Sequence, residues 1–294
     1  MVNRSFEYLR PETIGEAVEM KAAHGTRARF WAGGTDMMLL WNRREVAFDY
    51  CIDLTYVPAL RYIECSGDAL RIGAMASLDD LDLKSDLNPL AAALGHTARL
   101  MCTKQTRTIA TVGGNMCHAS PSADLTPPLV AMGARCRLLG PDGERDLPLE
   151  DFHLGVNETA LAESEMLTEI HVPGVDGKVA AHYDRVARTV VDIALVSSAV
   201  FIKVNAGNRI ERAGVALGAV APSVIRVTGA EETLVGRDLS NVNNGVTTTA
   251  GEEAASAARA ISDIRASKEY RTDMVATLTA RAIRQCISSL EGTA

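Results

Sequence analysis

The sequence predicts an α+β fold in two parts, and three observations carry that prediction. The first ~55 residues alternate short apolar runs with one helix-like stretch, the pattern of a small βαβ unit. Near the middle, Pro173–Gly177 (PGVDG) gathers residues that interrupt regular structure and reads as a linker. Beyond it come three strand-like runs and then helix-like runs, the order expected of a sheet covered by helices. A chain of 294 residues also exceeds the usual size of a single core. The expected parts are 1–177, itself divided into 1–56 and 57–177, and 178–294.

In chain order, Phe6–Arg10 is a short strand stopped by Pro11. Thr13-x-x-Glu16 is a capping box that starts a helix running to about Ala23, and Gly25 ends it. Ala28–Ala32 is apolar and strand-like, Met37–Trp41 a short apolar helical turn, and Tyr50–Leu54 (YCIDL) a third strand. Trp31 and Trp41 bracket the intervening loop, where core packing suits both better than stacking on a ligand ring. Tyr62–Cys65 and Ala69–Ala74 flank Ser66-Gly67-Asp68, a hairpin signal. Ser77 caps a helix whose first turn holds Asp79 and Asp80. Pro89–Leu100 is a helix rich in Ala and Leu, and Cys102–Thr108 (CTKQTRT) is polar. A helix at Asp124–Met132 precedes a strand at Ala134–Leu139, the turn Pro141-Asp142-Gly143 and a polar stretch. Glu165–Val172 is a strand ended by Pro173.

After the linker, Lys178–Ala187, Asp192–Val204 and Ile210–Val220 read as three antiparallel strands. Helices follow at Val227–Leu234, Asn244–Ala260 and Tyr270–Leu290. The last shows few capping residues, but Met274, Leu278, Ala282 and Ile283 share one face that can cover the sheet.

Composition narrows the function classes. A net charge of −7 disfavours nonspecific binding to nucleic acid or anionic membrane. No apolar run approaches the ~20 residues of a membrane span, and MVNRSFEYLR lacks the apolar region of a signal peptide. The six cysteines, at 51, 65, 102, 117, 136 and 286, have no C-x-x-C spacing. They read as reduced thiols of a cytoplasmic protein, and neither a metal site nor an iron–sulfur cluster is expected in this chain. Motifs for dinucleotide binding of the G-x-G-x-x-G type, for a P-loop, for H-E-x-x-H zinc binding and for a G-x-S-x-G nucleophile are all absent. No catalytic acid, base or nucleophile is assigned.

Two glycine-rich stretches remain. Ala110–Asp124 (ATVGGNMCHASPSAD) carries Gly113 and Gly114 among Thr111, Asn115, Ser120 and Ser122, and ends at Asp124 before an apolar helix. Asp124 can cap that helix or accept a hydroxyl from a sugar. Ala32–Met37 (AGGTDM) carries Gly33 and Gly34, then Thr35 and Asp36, where a strand ends. Consecutive backbone N–H groups in such turns make concave anion sites. The two loops could pinch a single phosphate-bearing ligand. Lys104 and Arg107, just before the second, could neutralise phosphate or serve as solvated charge.

Together the AGGTD loop, the T-x-G-G-N loop with its A-S-P-x-x-D continuation, Phe6–Leu9 with Pro11–Thr13, and Tyr183–Val196 (YDRVARTVVDIALV) resemble the FAD-binding subunits of the molybdenum hydroxylases. These include the medium subunits of carbon monoxide dehydrogenase and the flavin domain of xanthine dehydrogenase. The resemblance implies an N-terminal FAD-binding domain of the vanillyl-alcohol-oxidase type. It implies FAD held by Ala32, Gly33, Gly34, Thr35 and Asp36, by Thr111, Gly113, Gly114 and Asn115, and by Ser120 and Asp124. Asp36 stands at a position where the family varies. Arg185 stands where many members have Lys; it keeps the charge and changes the donor geometry. Ile193 falls at a position near the isoalloxazine in xanthine dehydrogenases, or equally in an ordinary strand core.

The resemblance further implies an electron-transfer role. A large molybdopterin subunit would oxidise the substrate, a small [2Fe–2S] subunit would relay electrons, and this chain's FAD would pass them to an external acceptor, within a dimer of heterotrimers. The alternative is a self-sufficient FAD-dependent oxidase, for which the part beyond the linker leaves little room.

Overall fold

The computed structural model describes residues 5–67 and 69–292. The first unit is β1 (Glu7–Leu9), α1 (Ile14–His24), β2 (Ala28–Trp31), α2 (Met37–Arg43) and β3 (Tyr50–Asp53). Its strands are parallel in the order β1-β3-β2, as a βαβ connection requires. Thr13 caps α1 by accepting from the Glu16 amide, while the Glu16 carboxylate accepts from the Glu12 amide. Phe6, Trp41 and Phe48 form one aromatic cluster, with Trp41 and Phe48 centroids 4.5 Å apart, so Trp41 packs as expected.

The second unit holds β4 (Ile63–Ser66), β5 (Ala69–Gly73), α3 (Leu78–Leu83), α4 (Pro89–Leu100), α5 (Lys104–Arg107), α6 (Val112–His118) and α7 (Thr126–Met132). It continues through β6 (Arg135–Gly140), β7 (Gly143–Pro148), β8 (His153–Gly155), β9 (Glu158–Thr159) and β10 (Met166–Val172). Five of these strands make an antiparallel sheet in the order β4-β5-β10-β6-β7. The hairpin β4–β5 sits where Ser66 and Gly67 predict it; Asp68 lies outside the described residues. The polar stretch after Gly143 is strand β7, an edge strand, which explains why it shows no apolar alternation. Leu70, Ile72, Cys136, Leu138, Ile170 and Val172 line one face of the sheet and bury against α3, α4, α6 and α7.

The third unit is β11 (Lys178–Val186), β12 (Val196–Val204), β13 (Ile210–Gly218), β14 (Ile225–Arg226), α8 (Thr228–Glu232), α9 (Asn244–Ala257) and α10 (Lys268–Glu291). Its sheet has four antiparallel strands where three were expected; β14 is only two residues long and carries no pattern to read. The second strand begins at Val196 and not at Asp192, because residues 187–195 form a loop. Both faces of β12 are covered. Val196, Val200, Ile202 and Val204 pack toward α9 and α10, and Ala199 and Phe201 join the core of the N-terminal part with Tyr183 and Ala216. That double burial is why the strand reads as one apolar run. The long helix α10 is capped after all: Ser267 accepts from the Tyr270 amide, and Gly292 ends it in a left-handed conformation. No helix among the described residues is long and apolar enough to cross a membrane.

Candidate functional site: a cleft between two glycine loops

A cleft of about 940 Å³ opens where the three units meet. All thirteen sequence-predicted site residues line it: Ala32, Gly33, Gly34, Thr35, Asp36, Thr111, Gly113, Gly114, Asn115, Ser120, Asp124, Arg185 and Ile193. Its size falls in the usual range for small-molecule and cofactor sites.

The two glycine loops are built differently. The first runs from the end of β2 to α2 as an open turn. Gly34 has φ +69, the left-handed conformation that a glycine turn of this kind uses. The N–H groups of Gly33, Gly34, Thr35, Asp36 and Met37 have no acceptor among the described residues. The second stretch is not a loop but the helix α6. Thr111 caps it, accepting from the Gly114 amide at 3.0 Å. Its other early amides are also bonded, Val112 to the Ala76 carbonyl, Gly113 to Ala74 and Asn115 to Thr111. The expected anion nest is therefore confined to the first loop. The second contributes side chains and a close-fitting wall, and Asn115 Oδ1 is buried without a hydrogen-bond partner.

The glycines divide accordingly. A Cβ on Gly33 would lie 1.9 Å from the Ile109 carbonyl oxygen, so this glycine exists to let the two stretches touch. One on Gly34 would meet the Trp31 indole at 2.6 Å, and one on Gly113 would meet Ala74 at 2.7 Å. Gly114 alone of the four meets nothing but the Thr111 hydroxyl, at 2.8 Å.

Asp124 does not cap α7. That helix starts at Thr126, with Leu125 at its cap, and Pro127 supplies no amide to accept from. The Asp124 carboxylate instead accepts from the Tyr183 hydroxyl at 2.5 Å and from Arg185 Nη1 at 3.0 and 3.1 Å. Tyr183 and Arg185 are two apart on β11, so they share a face and reach the same carboxylate. Arg185 Nη2 donates to the carbonyls of Leu100 and Val190, tying the end of α4 and the 187–195 loop to the cleft wall. Burial pushes the Asp124 carboxyl up, against the pull of Arg185 and Tyr183. Burial and the Asp124 carboxylate push the Tyr183 hydroxyl well up, which keeps it a neutral donor.

Ile193 belongs to no strand core. It is 43% exposed in the 187–195 loop, beside Val191 at 53%. His118, at the end of α6, has its Nε2 3.9 Å from Asp36 Oδ1, across the cleft. Sequence reasoning missed Asn157 and Thr159, which reach the cleft from the β8–β9 hairpin, and Arg29 and Phe30 from β2. Only the hairpin offers a signal, an Asn followed by alternation too short to register. Lys104 pairs with Asp79, and Arg107 donates to the Met101 and Cys102 carbonyls; neither lines the cleft.

An unpaired run of amides suits an anion, and an orphaned Asn carbonyl oxygen suits an N–H or O–H donor. The residues present thus fit a diphosphate-bearing cofactor. Comparison with known proteins points the same way. The family described as the FAD binding domain in molybdopterin dehydrogenase matches residues 4–175, and the CO dehydrogenase flavoprotein C-terminal domain matches residues 181–286. The carbon monoxide dehydrogenase medium chain of Hydrogenophaga pseudoflava is 31% identical over 96% of this chain and 97% of its own length. The xanthine dehydrogenase FAD-binding subunit of Escherichia coli O157:H7 is 28% identical over 97% of each. The solved carbon monoxide dehydrogenase from H. pseudoflava, in a form lacking the Mo-pyranopterin moiety, superposes with TM-score 0.90 at 29% identity, covering 99% of this chain and 100% of that one.

Proposed function

Because the chain belongs to the FAD-binding medium subunits of the molybdenum hydroxylases, and so is the FAD-binding subunit of a molybdenum-containing oxidoreductase, we propose that it takes electrons from a [2Fe–2S] partner and passes them to an external acceptor. The observation that carries the reading is the run of five residues with unpaired amides, Gly33 to Met37, that lines the cleft. In this reading those amides hold the diphosphate. Ala32 and Gly113 shape the wall around it, and Gly114 leaves room beside it. The Thr111 hydroxyl, which accepts from Gly114, keeps its own proton to donate. Asn115 Oδ1 accepts from the cofactor, and Ser120 donates to it. The Asp124–Arg185–Tyr183 cluster fixes the wall, with one carboxylate lone pair left for a cofactor hydroxyl. Ile193 covers the apolar end and excludes water.

Bound FAD supplies exchange of one or two electrons, and the protein supplies binding, orientation and electrostatics. Our reading places substrate oxidation on a large molybdopterin subunit, with the [2Fe–2S] clusters on a small one and the whole a dimer of heterotrimers. The relatives' own names, medium chain and FAD-binding subunit, support a multi-subunit assembly. They differ in substrate, carbon monoxide against xanthine, so the substrate is set outside this chain. The matched ranges support a division into 1–177 and 178–294, and the separate sheets β1-β3-β2 and β4-β5-β10-β6-β7 support a subdivision of the first part after residue 56. Six unbridged cysteines support a reducing compartment, the cytoplasm.

Binding gives the test. The apoprotein is titrated with FAD and with riboflavin, following flavin fluorescence. One FAD per chain, with riboflavin binding far more weakly, is the expected result. Equal affinity for the two would show that the diphosphate is not read, and the nest assignment would fall.

A further inference from the structure

The helix α4 and the strand β11 bring the N-terminal and C-terminal parts together, and two bridges cross their junction. At one, the imidazoles of His96 and His182 stack with centroids 5.5 Å apart. At the other, Arg185 Nη2 donates to the Leu100 carbonyl. Leu100 lies one helical turn beyond His96. Arg185 lies three residues beyond His182, about 10 Å along the strand. The second bridge ends in the cleft. The same guanidinium holds the Asp124 carboxylate at 3.0 Å and the Val190 carbonyl at 2.9 Å, and so the loop from which Val191 and Ile193 line the cleft. The first bridge depends on charge: two neutral rings pack, and two imidazolium rings repel.

We infer that the stacked pair His96–His182 is an acid-operated latch on the FAD cleft: protons taken up from solvent part α4 from β11, slacken the Arg185 anchor and lower the affinity for FAD. The inference rests on the FAD reading of the cleft above. No bond other than imidazole N–H forms. Neither histidine lines the cleft, so the effect reaches FAD through Arg185 and the 187–195 loop.

The charges around the pair leave an added proton without a partner. On α4, Arg99 pairs with Asp82 of α3 at 2.6 Å. On β11, Asp184 pairs with Arg281 of α10, and Lys178 stands four residues before His182. On α10, the Cys286 thiol, pushed up by burial, donates to the Val200 carbonyl, and Arg284 donates to the Thr247 hydroxyl of α9. β12 sets Val200 opposite His182, and α7, which also packs on β11, carries no ionisable residue. Both carboxylates beside the pair are thus taken by arginines. Burial lowers the pKa of both imidazoles from 6.5, against the pull of Asp184; Arg99 adds to the effect at His96, and His96 and Arg281 add to it at His182. The closed junction keeps both rings neutral, and a parted one lets them titrate near the ordinary value of about 6.5. The parted form therefore binds more protons as pH falls below about 6.5, and the closed form is lost in that window. FAD spans both walls and favours the closed form, so by reciprocity its binding expels those protons.

The experiment titrates the full-length apoprotein with FAD at pH 7.5 and at pH 5.5, following flavin fluorescence, with near-UV circular dichroism at each pH so that folded protein is compared with folded protein. The unaltered chain should bind about tenfold more weakly at pH 5.5, the change for one imidazole held neutral over one pH unit below its ordinary titration. H96N/H182N should match the unaltered chain at pH 7.5 and keep that affinity at pH 5.5. Calorimetry at pH 5.5 in two buffers of different ionisation enthalpy counts protons with no variant at all, and FAD binding to the unaltered chain should release them. Proton uptake on binding, or none, overturns the inference. An H96N/H182N chain that loses affinity with acid as the unaltered chain does overturns it as well. Equal affinity of the unaltered chain at the two pH values also overturns it, yet leaves the FAD reading standing. A chain that binds no FAD at pH 7.5 overturns both.

Discussion

At the scale of single residues, the four glycines of the cleft separate folding from binding. Gly33→Ala drives a methyl into the Ile109 carbonyl, a backbone atom that cannot step aside. Gly114→Ala meets only the Thr111 hydroxyl. The first variant should therefore lose folded yield, and the second should fold and lose FAD. Soluble yield with FAD-to-protein ratio measures both, and a Gly114→Ala chain that purifies fully loaded would remove Gly114 from the site. Asp124 is a different case. Removing its carboxylate leaves the buried Arg185 guanidinium without its counter-charge, and breaking such a pair costs about 3–5 kcal/mol. Asp124→Ala should lower the urea midpoint of the apoprotein itself, before any FAD is added. An unchanged midpoint would mean that the cluster does not hold the wall.

The sequence made the membership of this site legible, because short motifs carry it, but not its construction. Nothing in T-V-G-G-N distinguishes a loop from a capped helix. Two glycines lower helix propensity, and only tertiary bonds from the amides of Gly113 and Val112 to the carbonyls of Ala74 and Ala76 decide the matter. Likewise the partner of Asp124 lies 59 residues away at Tyr183, beyond any local pattern.

At the scale of elements, the helix α4 and the strand β11 meet through two imidazoles. His96 and His182 stack with centroids 5.5 Å apart. Burial lowers the pKa of both from 6.5, and for His182 the neighbouring His96 adds to it. The folded state therefore holds them neutral, while the unfolded chain takes up protons as pH falls through about 6.5. More protons on the unfolded state means that stability falls with acidification. Apoprotein denatured at pH 7 and at pH 5 should show the loss, and the double variant H96N/H182N should show less of it. Identical losses in both proteins would place the acid sensitivity elsewhere, His153 being the next buried imidazole. The elements themselves were well marked where a pattern repeats: Pro89–Leu100 coincides with its helix. They were lost where it does not, as in β7, β8, β9 and β14, which are edge or very short strands.

For the whole molecule, the N-terminal and C-terminal parts share apolar surface. Tyr183, Ala199, Phe201 and Ala216 belong to the same buried cluster as α4 and α7. A fragment ending at residue 177 would expose the face that these residues cover. It should collapse without fixed packing, binding a hydrophobic dye and showing no cooperative melt. A cooperative transition in the isolated fragment would show that the shared core is dispensable. The same arrangement brings Arg185 and Ile193 from one part to a cleft built mostly by the other. Linker composition marks where the chain can be divided, but it carries no information about which faces meet across the division.

In the division of labour proposed above, this chain carries electrons and leaves substrate oxidation to its partners. The most direct measurement mixes the FAD-loaded chain, without oxygen, with a pre-reduced [2Fe–2S] partner subunit and follows the visible absorbance of the flavin. Carbon monoxide, xanthine and an aldehyde are offered separately to the loaded chain alone. The reduced partner is expected to bleach the flavin, and none of the three substrates is. Bleaching by a substrate with no partner present, or no bleaching by the reduced partner, would contradict it.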